Sequence, residues 1–277
     1  MRKNATVRLY ASVLFVLGTV VTASPARAQF IPRSVGDPVI GERYWVEGAV
    51  GLWSPGTEMA ISSESLGIAG DVIDFKRDLG LTDQRFKEFH LQLRPARKHK
   101  FRFQYIPIKY DQQATLTRQI KFNGQLFTIG VPVTSQIDWR AYRFGYEYDA
   151  ISRDRVFVGF VLDVKQTDVR AFLESPQVRR ERAHAQAPIP AIGGIFRYYI
   201  VPNVSITGEI TGFKLPESLI KDATGHYVDV DFYGTYNVTR NVGAQIGFRR
   251  FDLGYVVEKD TGDFDLRGIY FGLVARF

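Results

Sequence analysis

The 277-residue chain contains no cysteine. That excludes disulfides, thiolate metal sites and a lipid anchor on an N-terminal cysteine. Histidine is nearly as scarce, with four residues, so imidazole-rich metal centres have little material and neither a metal nor a cofactor is expected. Beyond residue 28 there is no run of 18 uncharged apolar residues, which rules out a membrane-spanning helix. An excess of one charge is missing too. The first 28 residues carry Arg2, Lys3, Arg8 and Arg27 and no acidic residue, so of 36 basic residues 32 remain beyond them, against 29 acidic, and the net charge falls from +7 to +3. The apparent basicity belongs largely to the N-terminus, and nucleic-acid binding loses its main support.

What is present begins with that N-terminus. Arg2, Lys3 and Arg8 flank an apolar stretch from Leu9 to Val21, followed by Ala26-Arg27-Ala28, the small-x-small pattern of a secretory cleavage site. The apolar core is too short to span a bilayer. Residues 1–28 are therefore expected to be a cleaved signal peptide, leaving residues 29–277 as one domain.

Strand-like alternation runs through that domain. The final segment places Ile269, Phe271, Leu273, Ala275 and Phe277 on one face and Tyr270, Gly272, Val274 and Arg276 on the other. Nine further segments alternate in the same way, and the clearest sets Val228, Val230, Phe232 and Tyr236 against Asp229, Asp231, Tyr233 and Thr235. Charge recurs in mid-strand on the polar faces, at Glu88, Arg94, Arg102, Arg143, Glu147, Asp163, Lys165, Arg197, Glu209, Asp229, Asp231 and Arg249. In a dry sandwich core each of these would need a partner; they suit a barrel with a polar interior and an apolar exterior. This mixed charge either braces a narrow lumen by ion pairs or lines a small aqueous path.

The links between segments support the same architecture. Short turns at 96–99, 149–154, 201–203 and 237–241 alternate with long connections: about 31 residues after Pro55, then Asp111–Val131, Glu174–Ala187, Lys214–Thr224 and Glu258–Phe264. Short periplasmic turns and long outer loops are the pattern of a transmembrane barrel, and an even strand number leaves both ends in the periplasm. Phe101, Tyr146, Tyr148, Tyr198, Tyr236 and Phe277 sit beside the short turns, as one interfacial girdle would. The expected fold is all-β: an antiparallel up-and-down transmembrane β-barrel of about ten strands, with eight or twelve as the alternatives. Asn123-Gly124 between alternating arms predicts a type I′ hairpin over residues 119–127, carried on a β-arm beyond the membrane. The first long connection is expected to form a short helix or fold inward as a plug.

With export signal, alternation, loop parity and terminal Phe277 together, the chain resembles small bacterial outer-membrane β-barrel proteins of the OmpA-anchor and OmpW kind, over essentially all of residues 29–277. The resemblance implies residence in the outer membrane among its lipids and lipopolysaccharide. It also implies recognition by the barrel-assembly machinery through Ile269, Phe271, Leu273 and Phe277. Ten strands exceed the eight typical of those families, and no peptidoglycan-binding domain follows the barrel.

Catalytic material is sparse. His99 is expected in a turn beside Lys98 and Lys100, His184 in an outer loop with Arg179, Arg180 and Arg182, and His90 in the lumen near Glu88 and Arg94. Those loop cations offer screened attraction to anionic headgroups of lipopolysaccharide. His226 shares the outer end of a strand with Asp229 and Asp231, and Ser218 flanks the same loop. A rim hydrolase would need such groups within hydrogen-bond reach, as in ten-stranded outer-membrane proteases, but no second acidic pair or nucleophile motif accompanies them. The expected role is non-enzymatic: a structural barrel or a passive small-solute channel, with a rim hydrolase or a loop-mediated surface-binding protein as the alternatives.

Overall fold

The computed structural model describes residues 39–62, 70–122, 124–178, 181–216, 223–257 and 260–277. The signal peptide expected at 1–28 lies outside them, as do Asn123, Arg179, Arg180 and Ser218. Along the chain the elements are β1 (Val46–Ser62), β2 (Ile73–Asp74), α1 (Phe75–Leu79), β3 (Phe86–Ala96), β4 (His99–Thr115), β5 (Ile120–Phe122) and β6 (Gln125–Phe127). They continue with β7 (Pro132–Ser152), β8 (Val156–Glu174), β9 (Glu181–Val201), β10 (Val204–Leu215), β11 (Ala223–Asn237), β12 (Val242–Val257) and β13 (Asp260–Arg276).

Ten of these strands close a ring in the order β1, β3, β4, β7, β8, β9, β10, β11, β12, β13. Neighbours pair antiparallel, and β13 returns to β1 over a register from Glu47 opposite Arg276 to Ser62 opposite Thr261. The strand number is thus ten. Closure removes the free edges that an open sheet would expose to lipid.

The strands are longer than their alternation suggested, because the apolar face changes sides partway up. On β13, Ile269, Phe271, Leu273 and Phe277 are exposed and point outward, whereas Phe264 and Leu266 are buried inside and Asp263 and Arg267 are exposed. The same inversion occurs on β12, where Ile246 and Phe248 point outward but Leu253 is buried inside, with Arg250 outward. Phe248 pairs with Ile269 and Arg250 with Arg267, so the switch occurs at one height on both strands. On β4 and β7 it follows Tyr105 and Tyr142, whose rings stack at 4.7 Å between centroids, and beyond them Ile106, Ile108, Ile137 and Trp139 are buried inside. Lipid bathes the wall below this line and water above it, so the favourable outward residue is apolar below and polar above. From Ile269 to Phe277 is nine residues, about what a tilted strand needs to cross the hydrocarbon. The upper stretches of the strands form a water-bathed head.

The inversion corrects the expected loops. Segments assigned to connections at 56–62, 111–115, 181–187 and 260–264 are strand. The hairpin forms, as β5 paired with β6 and with Gly124 at φ 75°, a value that favours glycine. It does not stand away as an arm: Ile120, Phe122 and Phe127 are buried in the head's apolar cluster. The first connection is both helix and plug. Asp74 caps α1 by accepting from the Arg77 amide at 2.9 Å, and Gly80, at φ 64°, ends it with its N–H on the Lys76 carbonyl. Ile73, Phe75, Leu79 and Leu81 are buried in the same cluster as Trp53, Trp139 and Phe264. About 25 cal/mol per Å² of apolar surface removed from water holds this plug in place.

Asp78 locks the plug by accepting from Arg118 at 2.6 and 3.1 Å and from Arg77 at 3.2 Å, and from the Asp74 amide at 3.0 Å. Burial alone would raise its carboxyl, but the hydrogen bonds from Arg118 and Arg77 outweigh it and hold the group well below the usual aspartate range. A depressed folded value gives stability that is present above the unfolded value and lost as pH falls through the folded one. Protection of the α1 amides, taken as exchange relative to the intrinsic rate at each pH, is therefore expected to hold from neutrality to about pH 4 and to fall only below it. In Asp78→Asn that protection is expected to be low throughout, without the pH dependence. Opening of the parent loop between pH 7 and 5 would contradict the assignment.

Candidate functional site

Inward-facing side chains of the membrane portion meet across the lumen in layers. Nearest the periplasmic turns, Lys100 is fully buried and pairs with Glu147 at 2.7 Å and Asp149 at 3.0 Å. Arg276 pairs with Glu47 and donates to Asn237. One layer up, Arg102 donates to Glu209 at 2.7 Å, Arg143 donates to the same carboxylate and pairs with Asp163 at 2.6 Å. Below the head, Asp229 accepts from Lys165 at 2.8 Å, from Arg249 at 2.7 and 3.0 Å and from the Tyr227 hydroxyl at 2.9 Å. Glu88 lies 3.3 Å from His90 and 3.8 Å from Arg249, and Asp231 accepts from the Tyr270 hydroxyl at 2.9 Å.

Two contacts define the lumen's width. The Arg102–Glu209 pair joins β4 to β10, four places apart in the ring of ten. Above the charged layers the Trp139 and Phe251 rings meet with centroids 5.1 Å apart. They stand on β7 and β12, which are diametrically opposite. A cavity of ≈ 30 Å³ lies where the charged layers meet the apolar head, lined by Arg143, Lys165 and Arg249 together with Trp53, Ile108, Trp139 and Phe251.

All twelve mid-strand charges read from the sequence face this interior, and Arg94 and Arg197 do so at the periplasmic mouth. The expectation of a polar interior along the whole barrel is corrected: the head is filled by apolar side chains. Among the described residues, further interior groups lie outside the sequence list, Glu47 at the start of β1 among them. Lys100 was placed in a turn, although it has the parity of Arg102; Asp149 and Arg276 lie at strand ends; and Glu42 precedes β1 and belongs to no alternating segment. Glu42 accepts from Arg197 at 2.8 Å and pairs with Arg94 at 3.0 Å. Its burial would raise the carboxyl, yet Arg197, Lys100 and Arg94 prevail and lower it.

The histidines settle in different places from those expected of a hydrolase. His226 is on the outer face of β11, opposite to Asp229 and Asp231, and its Nε2 lies 3.0 Å from Asp252 Oδ1. This corrects the grouping of His226 with that pair: an even offset separates neighbours on one face, and 226 to 229 is odd. His184 is in β9 and not in a loop, 2.9 Å from Asp168 on the outer wall. His99 Nδ1 lies 2.6 Å from the Tyr146 hydroxyl in the periplasmic girdle. A closed ring whose lower wall turns Phe232, Phe248, Phe271 and Leu273 outward, above a periplasmic aromatic girdle and with its charge inside, is built for lipid. The chain is an outer-membrane β-barrel protein.

No protein-family model matches the barrel's sequence, and no curated sequence matches it. Its fold is similar to that of the outer membrane protease OmpT from Escherichia coli, with a TM-score of 0.56 at 9% identity, covering 84% of this chain and 96% of that one. Neisserial surface protein A aligns at a TM-score of 0.35 with 12% identity over 84% and 97% of the two chains. The attachment invasion locus protein Ail of Yersinia pestis aligns at 0.35 with 7% identity over 82% and 98%. At this identity the first likeness shows fold alone.

Proposed function

We propose that this protein is a non-conducting, non-enzymatic outer-membrane barrel whose filled stem holds a folded head at the outer surface. The observation that carries the reading is the contact of Trp139 with Phe251 from diametrically opposite strands, which supports a lumen closed to solutes at that height. The ion pairs beneath it favour bracing over conduction. Reconstituted into liposomes, the barrel is expected to give no swelling with small sugars beyond that of empty vesicles, and flux comparable to a porin's would sink the reading.

A hydrolase is less well supported. OmpT is a protease, but likeness of fold does not bring a site with it, and here the interior carboxylates are engaged by cations or Tyr270 while His226 faces away from them. The arginines just above the lipid line, Arg140, Arg170, Arg250 and Arg267, are outward and partly exposed, which supports contact with the anionic headgroups of lipopolysaccharide. Ile269, Phe271, Leu273 and Phe277 are exposed on one face of the closing strand, which supports reading them as a signal for the barrel-assembly machinery.

A further inference from the structure

Among the described residues the charged layers of the stem are built by strands, with one exception at the periplasmic mouth. Ahead of β1, Ile40 donates its amide to the Pro202 carbonyl at 2.8 Å, and the Trp45 and Val46 amides both reach the Phe277 carbonyl. Between these anchors Glu42 turns into the lumen, its side chain 6% exposed. Its Oε1 accepts from Arg197 Nη1 at 2.8 Å and from the Tyr199 hydroxyl at 3.1 Å. Its Oε2 accepts from Arg94 Nη1 at 3.0 Å. Tyr44 is buried beside it with its ring under Arg94 and Arg276, at 5.4 and 5.8 Å, and its hydroxyl accepts from Gln92.

Arg94 is on β3 and Arg197 on β9, four places apart in the ring. Two guanidiniums and a phenol from distant strands thus converge on one carboxylate, the geometry in which arginine recognises that group. The carboxylate itself comes from a segment outside the sheet. A barrel that needed only bracing there would carry the acid on a strand, as it does at Glu147 and Glu209.

We propose that Arg94, Arg197 and Tyr199 form a carboxylate-binding site at the periplasmic mouth, which Glu42 occupies in cis as the bolt of a strap over residues 39–45. With the strap in place the lumen is shut from below. With Glu42 withdrawn, the site accepts a free carboxylate from the periplasm. The inference concerns only the periplasmic mouth and does not depend on the head being sealed, since the mouth and the Trp139–Phe251 contact lie at opposite ends of the stem.

The absence of cysteine makes the test clean. Thr207 is 1% exposed and pairs with Arg197 across β9 and β10, so Thr207→Cys places a single thiol beside the site. In the otherwise intact chain, in micelles, it is expected to react slowly with an anionic methanethiosulfonate. Adding Glu42→Ala is expected to speed the reaction by about tenfold or more, as the charge-assisted bonds that hold the strap are lost. Acetate at about 100 mM should restore slow reaction, and sodium chloride of the same ionic strength should not. An unchanged rate in Glu42→Ala would overturn the proposal, as would equal suppression by acetate and chloride. If Glu42→Ala fails to give a heat-modifiable barrel, Glu42→Gln replaces it: faster labelling than the parent supports the bolt, and the parent rate overturns it.

Discussion

Asp229→Ala is expected to destabilise the barrel by about 3–5 kcal/mol, the cost of leaving buried charges without their partner. Asp229 accepts from both Lys165 and Arg249, and these two cations lie almost wholly inside the wall. Glu88, at 3.8 Å, makes a longer pair with Arg249 than Asp229 does at 2.7 Å. The expectation separates a paired lumen from a hydrated one. Were water freely present, the exposed cations would be solvated and the loss would shrink to the about 0–1 kcal/mol of a surface pair. A companion triple variant, Asp229→Leu with Lys165→Met and Arg249→Met, removes the carboxylate with both cations that donate to it and is expected to cost less than the single one, with His90 left as the partner of Glu88. Urea unfolding in lipid vesicles, followed through the fluorescence of Trp45, Trp53 and Trp139, measures both. A triple variant less stable than Asp229→Ala would contradict the account.

The second large effect tests the outer face. Phe232 lies in the middle of the apolar stretch of β11 and is 57% exposed, which in a bilayer means contact with lipid tails. Phe232→Arg is expected to cost about 2–4 kcal/mol, the penalty for a cation near the bilayer midplane. Gln186→Arg, on the exposed wall of the head, is expected to change stability by no more than about 0.5 kcal/mol. Comparable costs at the two positions would place the head and stem in the same medium and would remove the boundary drawn at the inversion line.

That line explains what the sequence disclosed and what it concealed. In the stem, alternation has one meaning along each strand, so the faces of β11 and β13 and the charged interior positions were legible from period and parity. In the head the meaning reverses. Phe264 and Leu266 have the parity of Tyr270, and Ile106 and Ile108 that of Arg102 and Gln104, so one continuous strand looks like a strand followed by an irregular loop. The signal was present as a change of phase: Phe101, Phe103, Tyr105, then Ile106, Ile108, Tyr110. Reading that shift as a change of solvent would have given the long strands and the apolar filling of the head. The first connection was open between helix and plug because its buried residues, Ile73, Phe75, Leu79 and Leu81, follow no single period. Glu42 had no local signature, since its role arises only when β3 and β9 bring Arg94 and Arg197 to one end of the ring.

The lumen also shows why mixed charge in mid-strand does not by itself mean a pore. Arg102 and Glu209 are as suited to a water-filled channel as to a brace when only their faces are known. What decides is reach: in a ring of ten, side chains from strands four places apart touch. In wider barrels opposite walls cannot meet, and the same residues would line water.

The central claim, that this barrel is a filled stem, is tested most directly by planar-bilayer recording of the full mature chain. The account predicts a closed trace, with no stepwise current at any applied voltage that the membrane withstands. Reproducible ohmic steps from the folded, heat-modifiable protein, persisting in the intact chain with Glu42 and Trp139 in place, would contradict it.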